Sequence, residues 1–237
     1  MTRYGYYRLT AGLILSVCGL VLAKAKAHPL ADVRFDRTIA VRLSRAGVEV
    51  VYTLDVSLLG MHLDAASRLT PVEVARMERT LRGYATAYAR KAATEVTTQL
   101  QLSIDSQLVP WQLRHWEVTL TDHPSCRYWL YAAWPAGGRE RVVQIVDRTF
   151  GDYPGVVQLT VDTREVSAGV EILDVEEPPA RLRVRPIEQL AESEVLQARR
   201  ARVEVRLPAP SDVTDTLIPK PIPTENSSPI RVQFPCE

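Results

Sequence analysis

The sequence predicts an α+β fold: a mainly antiparallel, β-sandwich-like domain with one long inserted helix and a proline-rich C-terminal tail. Three observations carry that prediction. Short apolar segments recur about every 12 residues between turn signals, as in sandwiches of antiparallel sheets. The clearest repeat of apolar residues at helical spacing runs over residues 71–96. From Pro208 to Pro235 seven prolines follow one another among Ser, Thr and Asn, a composition that cannot donate to a sheet ladder and does not fill a core.

In chain order, Val33 to Leu43 and Val48 to Leu58 open the domain. Ile39, Val41 and Leu43, then Val48, Val50, Tyr52 and Leu54, alternate with polar positions around Ala46-Gly47. This predicts an antiparallel hairpin with one wet face. Thr70-Pro71-Val72-Glu73 predicts a helix start: Thr70 caps, Pro71 suits the first position, and Glu73 closes a capping box. Val74, Met77, Leu81, Tyr84, Tyr88 and Ala92 continue it as one stripe aimed at a sheet. Strands are expected over 100–104, 111–120, 128–134, 141–147, 156–161 and 170–175. A short helix follows within 187–200, and a last strand over 201–207.

The N-terminus has the three-part layout of an export signal. Arg3 and Arg8 are followed by an apolar run, Leu9 to Ala23, and then by Ala23-Lys24-Ala25-Lys26-Ala27, which permits cleavage after Ala25 or Ala27. The run is shorter than the roughly 20 residues of a spanning helix. The expected organisation is a signal peptide at 1–27, a strand-rich extracytoplasmic domain at 28–207 and a disordered or loosely docked tail at 208–237. The expected location is the periplasm or the extracellular space, with the membrane touched only through the signal segment if it stays uncleaved. Cys126 and Cys236 then form a disulfide or remain two thiols. Of the 237 residues 24% are charged, and the formal net charge is +1, so nucleic acid is not an expected partner.

Candidate chemistry is sparse. Cleavage after Ala27 would make His28 the new N-terminus, where an α-amine and an imidazole from one residue suit Cu(II) or Ni(II). His115 or His123 could complete such a site, and His62 is the fourth histidine. None of them has the spacing of a metal motif. No hydrolase motif and no phosphate-cradling glycine loop is present, and Asp147, Asp152 and Asp162 read as acids at strand ends. The expectation is that the chain is not an enzyme. Trp111, Trp116, Tyr128, Trp129, Tyr131 and Trp134 crowd into 24 residues. Rings fall on both faces of one strand, so one face is core and the other is either covered by the helix or a contact surface.

Ala27-His28-Pro29-Leu30, Tyr52-Thr53-Leu54-Asp55, Tyr88-Ala89-Arg90-Lys91-Ala92 before Leu100–Asp105, and Val146-Asp147-Arg148-Thr149-Phe150 before Tyr153-Pro154-Gly155 together carry a resemblance. Residues 27 to 175 resemble the extracytoplasmic N-terminal region of bacterial nickel/cobalt-transporter-like membrane proteins. The resemblance implies a domain outside the cytoplasm that handles a metal or assists a membrane transporter, with His28 the matching ligand. Where that family often has a second histidine, this chain has Arg37, and its spanning helices are replaced by the tail. The alternative function is an interaction module for a cell-envelope protein, binding no metal.

Overall fold

The computed structural model describes residues 33–77, 80–164 and 169–209. The expected leader and nearly all of the tail therefore lie outside the described residues. β1 (Phe35–Leu43) and β2 (Gly47–Val56) pair antiparallel from Phe35↔Val56 to Leu43↔Val48, so the predicted hairpin forms. Strict alternation puts Phe35, Arg37, Ile39, Val41 and Leu43 on the buried face of β1.

The remaining strands are β3 (Leu100–Ile104), β4 (Gln107–Val109), β5 (Gln112–Leu120), β6 (Pro124–Ala133), β7 (Glu140–Asp147), β8 (Val157–Asp162), β9 (Glu171–Glu176) and β10 (Arg200–Arg206). They form two five-stranded sheets. The first runs β5-β6-β2-β1-β8 and the second β4-β3-β7-β10-β9. Every pairing is antiparallel except β1 with β8. The inner faces of both sheets supply one hydrophobic core, with Val50, Leu54 and Leu130 from the first and Leu102, Ile145 and Val203 from the second.

The helical layer differs from the sequence expectation. In place of one long helix there are three: α1 (Leu58–Arg68), α2 (Pro71–Met77) and α3 (Leu81–Gln99). The predicted capping box is present, with the Thr70 N–H donating to Glu73 Oε2 at 2.8 Å and the Glu73 N–H to Thr70 Oγ1 at 3.3 Å. A second cap, Thr80, accepts the Gly83 N–H at 3.0 Å and starts α3 afresh. Leu81 consequently stands at the head of a helix, 50% exposed, rather than within a buried stripe.

α1 was hidden by its composition. Gly60 lowers its helix propensity, yet a Cβ there would come within 2.9 Å of the Phe35 ring. Its leucines also fall on the wrong face for a core helix. α3 buries Tyr84, Tyr88 and a run of alanines, and Tyr128 of β6 donates to the Ala89 carbonyl at 3.0 Å. The helices therefore lie on the inner side of the first sheet. After β9, a short 3₁₀ turn (Ile187–Gln189) and α4 (Glu192–Ala198) lead back into β10.

Glu73 gives a pH test. The backbone hydrogen bond from Thr70, and then Lys91 at 3.1 Å, lower its carboxyl from 4.5 to about 2. Because the folded value is depressed, its stabilising share is present above pH 4.5 and disappears as pH falls toward 2. In urea unfolding, the wild type is expected to exceed Glu73→Gln in stability at pH 7, with the gap closing between pH 4.5 and 2.

Candidate functional site

The described histidines do not converge. β5 and β6 pair through His115↔Trp129 and Leu120↔Pro124, with His123 in the turn. Six strand residues separate the level of Trp129 from His123, roughly 20 Å at about 3.3 Å per residue. The two imidazoles therefore cannot share one metal ion. His62 lies on α1 beside Tyr84, Nδ1 to Oη 3.4 Å. No group of three or more His, Cys, Asp or Glu among the described residues could hold a metal ion, and His28 lies outside them. Cys126 is a free thiol on the inner face of β6; burial pushes it up to about 12, and Cys236 is likewise outside the described residues.

The aromatic cluster resolves into an inner and an outer set. Trp111 is buried and donates to the Leu100 carbonyl at 2.6 Å. Tyr128 points inward, toward the helices. Trp129 and Tyr131 point outward, away from them. A bulge between Leu113 and His115 re-aims the edge strand β5. It carries Arg114 over the Tyr131 ring, 3.7 Å from its centroid, and sets His115 against Trp129 at 5.1 Å. Arg127 reaches the same Trp129 ring at 5.8 Å and pairs with Glu117 at 3.2 Å. Tyr131 is anchored by donating to the Ala46 carbonyl at 2.8 Å. The result is a fixed outer patch in which half-buried Trp129, and Tyr131 buried beneath Arg114, are flanked by exposed Arg114, His115 and Arg127.

A buried polar centre is the larger surprise. Arg37, Asp147 and Thr149 are each fully buried. Asp147 Oδ1 accepts the Thr149 N–H at 3.0 Å and the Thr149 hydroxyl at 2.5 Å. That hydroxyl has one proton, so Tyr52 must be the donor in the 2.6 Å contact between Tyr52 Oη and Thr149 Oγ1. Burial, and next the charge of Asp147, hold the Tyr52 phenol well above its ordinary range, which keeps that proton in place. Arg37 Nη1 donates to the Thr149 and Phe150 carbonyls at 2.5 and 3.3 Å and lies 3.7 Å from Asp147 Oδ2.

Further buried and half-buried charges adjoin it. Glu95 of α3 accepts the Phe150 N–H at 3.3 Å and faces Arg68 at 3.5 Å. Arg68 donates to buried Asp64 at 2.5 Å, and Tyr88 donates to the same carboxylate at 2.8 Å. Arg199 sits close enough to feel Arg37 and Asp147; burial and then Arg37 lower its pKa. Three arginines thus face three carboxylates. Parity could have located this centre in the sequence. Arg37 shares its strand face with Phe35 and Ile39, and Asp147 shares its face with Val143 and Ile145.

A polar cleft of about 370 Å³ lies elsewhere among the described residues, lined by Glu176, Glu177, Pro179, Gln197, Arg200 and Arg202. Its charges are largely paired internally: Glu177 with Arg183 at 2.5 Å, and Arg202 with Glu204 and Asp174. Asp162, one of the acids noted in the sequence, pairs with Arg42 at 3.7 Å. By its geometry the chain is a two-sheet α+β domain with a helical layer. No protein-family model matches it, and no curated protein does.

Breaking the buried pair from one side leaves an uncompensated charge. Arg37→Met and Asp147→Leu are each expected to cost about 3–5 kcal/mol. The double variant should cost clearly less than the sum, measured by urea unfolding.

Proposed function

We propose that this chain is an exported, non-enzymatic domain of the cell envelope that grips a protein partner through the outer face of β5 and β6. Export is supported by the basic, apolar and small-residue order of residues 3–27. No helix among the described residues is long and apolar enough to cross a membrane. The observation that carries the reading is the fixed patch of Trp129 and Tyr131 with Arg114, His115 and Arg127. Trp, Tyr and Arg are the residue types that dominate interface energetics, since each offers a large contact area with a polar handle. The rings are held by cations of their own sheet, so little side-chain freedom remains to be lost on binding.

His115 favours contact over coordination, because its ring already lies against Trp129. A membrane transporter is one envelope protein that would fit as the partner, and the likeness to transporter-associated domains points the same way.

Chemical cross-linking in cells followed by mass spectrometry tests this. A distinct envelope protein should be captured, and Trp129→Ala should reduce that adduct roughly tenfold or more, whereas His28→Ala leaves it unchanged. An adduct that ignores Trp129→Ala, or that only His28→Ala removes, contradicts the proposal.

A further inference from the structure

We infer that the α1–α3 layer is a second, independent contact surface, and that it docks on an anionic lipid surface. The first observation is that α1 exposes all three of its leucines while Gly60, Met61, Asp64 and Ala65 face inward. Its inward positions include Asp64, 1% exposed, while Leu58, Leu59 and Leu63 are 46%, 36% and 48% exposed. Leu59, His62, Leu63 and Ala66 fall at i, i+3, i+4 and i+7, one stripe on the outer side of the helix, all exposed. A helix that serves only the core buries its leucines and exposes its acids.

The stripe continues onto α3. His62 touches Tyr84 at 3.4 Å, and Leu81, half-exposed, precedes Tyr84 by one turn on the same side of that helix. Charge favours the same occupant. Residues 58–99 contain six Arg or Lys and four Asp or Glu, whereas the rest of 33–237 contains 19 and 23. The helical layer is therefore net positive on a domain that is otherwise net negative. Two of its four acids, Asp64 and Glu95, share Arg68, and Glu73 pairs with Lys91. Leucines on a basic helical surface match the interfacial region of a bilayer with anionic headgroups.

The test is co-sedimentation of the exported chain with vesicles of phosphatidylcholine, alone or with 30% phosphatidylglycerol. Binding to the anionic vesicles should be about tenfold stronger, and should weaken in 0.5 M salt. Leu59→Ser/Leu63→Ser should lower it about tenfold without shifting Tm, because both side chains are already exposed. Trp129→Ala should leave it unchanged, so failure here is separable from failure of the protein-partner reading. Equal sedimentation of wild type and the leucine variant overturns the inference. So does absence of binding to anionic vesicles, or a concentration-dependent dimer that the leucine variant abolishes.

Discussion

The pairing of Arg37 with Asp147, inside a core with no exposure at either side chain, is the constraint on which the rest of the structure depends. Each charge would be prohibitively costly alone in that position. Together they fix the segment 147–156 as a hub. Through it β1 meets β8: the Phe35 N–H donates to the Pro154 carbonyl and the Arg37 N–H to that of Val156. The Arg148 N–H donates to the Gln99 carbonyl at the end of α3, and the Asp147 N–H to that of Arg199 before β10. Phe150 takes φ +47 so that its carbonyl faces Arg37 while its ring stacks on Phe35. Gly155, at φ +147, passes so near Phe35 that a Cβ would sit 2.1 Å from its carbonyl oxygen. One loop thereby joins both sheets and the helical layer.

The centre is not saturated. Arg37 Nε and Nη2 and Asp147 Oδ2 have no hydrogen-bond partner among the described residues. Desolvation of those atoms offsets much of the Coulombic gain, so the pair contributes more to specifying one arrangement than to net stability. Specification matters here because β1 and β8 run parallel, and a one-residue slip would turn Arg37 out and Asp36 in. The orientation of α1 is set beside that hub, where Arg68 lies 5.2 Å over the Phe150 ring. Asp64 faces inward to meet Arg68 and Tyr88, and with 3.6 residues per turn that rotation sends Leu59 and Leu63 outward.

Strands were the legible part of the sequence, because a half-buried strand writes its face as alternation: β1, β2, β3 and β7 follow that rule directly. Which strands would pair was not legible, since β1–β8 and β3–β7 are contacts of long sequence separation. The break between α2 and α3 escaped because Leu81 continues the apolar spacing across Thr80, so periodicity reads through a cap that only geometry reveals. α1 escaped because a buried acid and exposed leucines invert the pattern that marks a helix. Of the candidate site, the crowding of rings near Trp129 was legible. Their division between faces, and the bulge that aims Arg114 and His115 outward, depended on the pairing register. Nothing in the spacing of the histidines showed that the β5–β6 hairpin holds His115 and His123 apart.

The hub claim bears most directly on how the 147–150 amides open. Native-state hydrogen exchange at the Thr149 and Phe150 N–H groups, bonded to Asp147 and Glu95, measures this one by one. If the buried pair locks the loop, both amides exchange only through global unfolding, at the same free energy as the central β2 and β6 amides. Exchange of Thr149 and Phe150 by local opening, orders of magnitude faster than those strands, would contradict the account.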